Sequence, residues 1–141
     1  MIRSILIPAA ACVALAACGG SDGKAAKACT TMLAGDPEIV EDLAEDGDTV
    51  ETYCACYATL LADRPEDAQA RILDVTNVVA DIRAEQELGL EDAAMHLMED
   101  FIEDGSSPTY GVTRDSFDAT GSYIDAVRRE VGKDTGACAA S

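Results

Sequence analysis

Two cysteines stand one residue apart in Tyr53-Cys54-Ala55-Cys56-Tyr57. No other feature limits the fold of this chain as strongly. The surrounding segment, 49–62, reads as a helix, with Asp48 as its cap and Glu51 at the capping-box position. Each helical residue turns by about 100°, so Cys54 and Cys56 lie about 200° apart around the axis. Their Cβ atoms diverge and cannot readily bond to each other while the helix is intact. Each sulfur then needs a partner elsewhere, and this helix becomes a junction bonded to two other segments. Val50, Tyr53, Tyr57, Leu60 and Leu61 share the face between the two shoulders and point to the core.

The chain opens with one Arg, then an uncharged Ala-rich run from Ile5 to Ala17. Such a run is an export signal by composition, and it is shorter than the about 20 residues of a membrane span. It ends in Leu15-Ala16-Ala17-Cys18, which resembles the lipobox that closes the signal peptide of bacterial lipoproteins. The resemblance covers the N-terminus only. It implies that the Cys18 sulfur takes a diacylglyceryl group, that a lipoprotein signal peptidase cuts between Ala17 and Cys18, and that the new amine is open to acylation. Several acyl chains anchor stably where one binds only marginally. An ordinary secretory cut after Ala14-Leu15-Ala16 is the competing reading. Gly19 to Gly23, rich in Gly, makes a flexible tether. No Asp directly follows Cys18, which by analogy with enteric bacteria favours the outer membrane over the inner. The expected organisation is a signal peptide over 1–17, lipidated Cys18 and tether over 18–23, and a helical domain over 24–141.

Processing at the lipobox would reduce six cysteines to four: Cys29, Cys54, Cys56 and Cys138. Four cysteines in an exported chain read as two disulfides, and four allow three pairings. The helical junction disfavours the pairing that joins 54 to 56. Cys29 shares a helix face with Ala25, Met32 and Leu33, and Cys54 lies nearer the apolar centre. That favours Cys29–Cys54, with Cys56, beside the polar face, taking Cys138. The swapped pairing stays open.

The body reads as helices over 24–34, 37–45, 49–62, 65–88, 91–104 and 114–131, with Gly-containing breaks between them. Asp36 with Pro37 marks the second start, and Gly47, Gly89 and Gly132 mark stops. Ala68, Ile72, Val75, Val79 and Ile82 form one apolar stripe. Ala94, Leu97, Met98 and Phe101 form the next, and Phe117, Thr120, Ile124, Val127 and Val131 the last. No alternating strand or internal repeat is evident. The expected class is all-α: an irregular bundle of four main helices plus one or two short ones, stapled by two disulfides.

Acids outnumber bases by 27 to 10, for a formal charge of −17. Phosphate binding needs a basic face, so nucleic acid is excluded as an expected partner. A cation or a basic protein is compatible with the charge. Neither Gly47 nor Gly105 has the ligand spacing of a calcium loop, because the third position would be Ala44 or Ile102 and the twelfth Tyr53 or Gly111. Ser106, Ser107 and Ser116 lack a nucleophile-elbow context, and His96 is the single imidazole. No motif asks for a cofactor or a metal, and no catalytic residue is assigned. The expectation is a non-catalytic envelope accessory or interaction protein, held to the membrane through lipid on Cys18, with a possible protein partner. Two alternatives stand beside it. One is a periplasmic metal- or thiol-handling protein using Cys54 and Cys56 with Met95, His96 and Met98, although the Cys spacing is one short of the usual redox pair and His96 reads as a boundary histidine. The other is a binding module for a basic partner, through the acidic stretches 38–51 and 91–104.

Overall fold

A computed structural model describes residues 21–103 and 108–131, together with Lys133, Gly136 and Cys138. The lipobox, Cys18 and the tether as far as Gly20 lie outside the described residues, as do Ser106 and Ser107. Six helices are present among the described residues, and no strand. They are α1 Ser21–Leu33, α2 Pro37–Glu45, α3 Val50–Ala62, α4 Glu66–Gln86, α5 Leu90–Glu103 and α6 Arg114–Glu130. The bundle is all-α, with α1, α3, α4 and α6 forming its body. α1 packs on α3 and α4, α6 crosses the same two helices, and α5 rests on α4. α1 takes in Ser21 to Gly23, which composition assigns to the tether.

Both disulfides converge on α3. Cys29 bonds Cys54, with a Cα–Cα distance of 5.5 Å, and Cys56 bonds Cys138 at 5.0 Å. Cys54 and Cys56 are thus bonded to different segments. Cys29, Ala25, Met32 and Leu33 are all buried on one face of α1. Cys56 is buried too, so it does not border the polar face. Cys138, bonded to it, lies against that side of α3.

Tyrosines take the central positions that the scarcity of other aromatics leaves open. The chain has no Trp and only two Phe, against four Tyr. Tyr57 is fully enclosed, and its ring meets Tyr123 edge-on at 5.0 Å. Thr76 donates to the Ile72 carbonyl at 2.8 Å, so the Tyr57 hydroxyl donates to Thr76 Oγ1, also at 2.8 Å. The Tyr123 hydroxyl donates to the Tyr57 carbonyl. The phenols of Tyr57 and Tyr123 therefore have partners, which burial requires.

Burial pushes the Tyr57 phenol up to about 12. It also raises Tyr123, helped by the neighbouring Tyr57, and it raises Tyr53 against the pull of Arg128. A phenol whose folded pKa exceeds its unfolded value adds stability that is complete below the unfolded value. That stability is lost as pH rises through the folded value. Absorbance titration should therefore show these three phenolates missing at pH 10 and appearing together with loss of helical circular dichroism. Ionisation of these three tyrosines near pH 10 with the helices intact would refute the packing.

Three local expectations change. Thr49, not Asp48, caps α3, and its reciprocal partner is Thr52, not Glu51. Threonine hydroxyls close the box with less charge, in a stretch already crowded with carboxylates. α4 ends at Glu87, in a left-handed conformation, not at Gly89. This early stop leaves Leu88 half-buried against the core. On α5, Ala93 and Leu97 are buried, while Met98 is 46% exposed. α5 touches the bundle mainly through α4, so only a narrow stripe is covered. On α6 the expected stripe does meet the core, with Thr120 and Val127 buried and Phe117, Ile124 and Val131 half-buried, and Tyr123 is buried beside it.

Candidate functional site

α2 differs from the other helices in having no fully buried residue. Only Ile39 and Leu43 lean on the core, and Val40 is exposed. Its ends are fixed instead. At the N-terminus, Asp36 Oδ1 accepts from the Glu38 and Ile39 amides at 3.1 and 3.3 Å. Asp36 Oδ2 accepts from the Leu90 amide at 2.7 Å and pairs with Arg83 at 3.4 Å. One carboxylate thus serves the starts of α2 and α5 together, where exposed amides and the helix dipoles both favour a negative charge. Arg83 also donates to the Met32 and Leu88 carbonyls, tying in the ends of α1 and α4. At the C-terminus of α2 the chain reverses through Gly47, whose φ of 81° suits glycine.

Fixed at both ends and thinly packed between them, α2 borders an open groove of about 840 Å³. Leu33 of α1, Ile39 and Leu43 of α2, Val79 of α4, Leu90 of α5 and Ile124 of α6 give it an apolar floor. Asp42, Glu45, Asp46 and Asp48 form one rim, with Asp125 on α6. None of these five carboxylates is ion-paired among the described residues. The cation in the lining is Arg128, which interacts with Tyr53 and lowers its phenol pKa against burial. Three of the acids crowd the C-terminal end of α2, where the last turn has no base. Carboxylates there oppose the helix dipole and repel one another.

Gly121 also lines the groove, in the middle of a 17-residue helix. Glycine costs about 1 kcal/mol relative to alanine at such a position. Close packing does not explain it, because a Cβ built there meets nothing within 4 Å. A side chain there would meet open space beside the groove.

The residues singled out in the sequence divide differently. Cys54 and Cys56 are buried and bonded to Cys29 and Cys138. His96 Nε2 lies 3.0 Å from Gln86 and 3.1 Å from the Tyr110 hydroxyl, bridging α4 to the turn before α6. Asp100 holds that turn through the Thr109 amide at 3.1 Å. Hydrogen bonds from Thr109 lower the Asp100 carboxyl pKa below its ordinary value. Met95 and Met98 face solvent on α5. Among the described residues, no three His, Cys, Asp or Glu side chains converge as a metal set would. Ser116 serves the cap of α6, with its amide donating to Thr113. Of the two acidic stretches, 38–51 contributes the groove rim.

Sequence reasoning missed the groove itself, the burial of Arg83 and the importance of Tyr123. A mid-helix glycine and an arginine next to the apolar stripe were the available signals. No described helix is long and apolar enough to cross a membrane. Compared with known proteins, the chain matches no family model, no curated protein and no solved structure.

Proposed function

We propose that this chain is a bacterial envelope lipoprotein whose helical body is a non-catalytic binding module. Cys18 carries the lipid, the short tether leads to α1, and the body faces the periplasm, with the outer membrane favoured. The anchor half of this reading rests on Leu15-Ala16-Ala17-Cys18 and the uncharged run before it. The binding half rests on one observation, the acid-rimmed groove beside α2. Its volume falls in the range of ligand sites, about 300–1,000 Å³, and its apolar floor with a few polar groups at the edge is the usual composition of one. Thin packing of α2 lets the border of such a site adjust at low cost.

The anchor is tested by growing cells with a labelled fatty acid. The parent chain should carry label and fractionate with membranes. Cys18→Ala should lose the label and the membrane association together. Label retained in Cys18→Ala, or a mature N-terminus upstream of Cys18, would overturn the anchor. The binding half is tested through the ligand class below.

A further inference from the structure

We infer that the groove takes a small amphiphilic cation: an apolar body seated on the floor, with one ammonium or guanidinium group at the rim. This rests on the binding-module reading and specifies its ligand. Three observations point the same way. The floor is apolar and open, so it gains from covering by an apolar body. The rim carries five carboxylates without ion-pair partners among the described residues, against the single positive charge of Arg128 in the lining. A cation there neutralises repulsion that the folded chain otherwise bears at the end of α2. An anionic amphiphile meets the same floor but is repelled by the rim. Gly121 gives the third observation, since it holds space open at a position where any helix former would stabilise α6. The groove's volume suits a small molecule; a protein segment would need a larger contact, on the order of 1,000 Å² in total.

The test uses the full chain with Cys18→Ala and both disulfides formed, titrated calorimetrically below the micelle concentration of each probe. Dodecylammonium, dodecanol and dodecanoate share one tail and differ in head charge. Dodecylammonium should saturate one site and bind at least ten-fold more tightly than dodecanoate. Asp42→Asn/Glu45→Gln/Asp48→Asn should weaken dodecylammonium at least five-fold and leave dodecanol unchanged. Gly121→Phe and Gly121→Leu project into open space and replace a helix-weakening glycine, so they should match or exceed the parent melting temperature while weakening every probe at least ten-fold.

Equal binding of dodecanoate and dodecylammonium, blocked by Gly121→Phe, would overturn the charge assignment and leave the groove as a binding site. Displacement of dodecylammonium by calcium at one equivalent would assign the rim to a metal and overturn the ligand class. No saturable binding of any probe would overturn the ligand class and remove the support for the module.

Discussion

Reduction of both disulfides is expected to unfold the helical body at about 37 °C. Cys29–Cys54 closes a sequence separation of 25 residues and Cys56–Cys138 one of 82. By the loop-entropy relation these are worth about 3.5 and about 4.5 kcal/mol. Their sum approaches the whole stability of an ordinary domain, about 5–15 kcal/mol. The remaining margin is small, because alanine and valine are the commonest residues of the interior and the surface carries repelling carboxylates. Far-UV circular dichroism with and without reductant measures the effect. A reduced chain that keeps a cooperative melt near the oxidised one would contradict it.

The two bridges should not be equivalent. Loop length alone ranks Cys56–Cys138 as the stronger. Burial reverses that order, because Cys29 and Cys54 sit at the fully covered contact of α1 with α3. Cys29→Ala/Cys54→Ala loses loop restraint and also leaves an unfilled space, which adds roughly 1–2 kcal/mol. Cys56→Ser/Cys138→Ser should chiefly free the tail and keep the six helices at low temperature. Urea unfolding of the two double variants distinguishes these outcomes.

The junction was legible because it depends on one helix alone. Two residues apart on a helix means opposite shoulders, whatever packs around it. Asp36-Pro37 marked the start of α2 for the same reason, since cap and first-turn proline act within four residues. What escaped the sequence depends on distant partners. Arg83 follows Ile82 on α4 and reads as a solvated charge. It is buried because the last carbonyls of α1 and the carboxylate of Asp36 arrive from about 50 positions earlier. Met98 reads as an inward residue from its spacing to Phe101. It stays exposed because little of α5 is covered by the bundle, a matter of packing and not of period. The groove is the extreme case. Its ingredients are an acidic helix end, a glycine and some ordinary apolar residues on five helices, and they acquire meaning only when the fold sets them face to face.

Asp36→Ala is expected to cost about 3–5 kcal/mol, lowering the melting temperature by roughly 10–20 °C. The Asp36 and Arg83 side chains are only 5% and 10% exposed, so removing Asp36 leaves the Arg83 charge largely covered with backbone carbonyls as its remaining partners. The same change strips the α2 cap and the acceptor of the Leu90 amide. Arg83→Met should cost less than Asp36→Ala, because three backbone amides still surround the carboxylate.

A pH signature separates this charge from simple packing. Burial raises the Asp36 pKa most strongly, yet hydrogen bonds from Leu90 and Ile39, the Arg83 charge and the Glu38 amide together outweigh it. The net shift is downward from 3.8. A carboxyl with a lowered folded pKa adds stability that is complete above the unfolded value, and this is lost as pH falls toward the folded one. Protonating the other acids has the opposite effect, since it relieves the repulsion of a chain at −17. The net melting curve against pH is therefore ambiguous, and the difference between parent and Asp36→Asn is the diagnostic. That difference should be greatest at neutral pH and shrink as pH falls below about 4. A difference independent of pH would mean that Asp36 acts by shape alone. Hydrogen exchange should add a local signature: in Asp36→Asn, amides of 37–45 exchange faster while those of α3 and α4 hold. The carboxylate that pins α2 beside the groove is then also what keeps the groove's border in place.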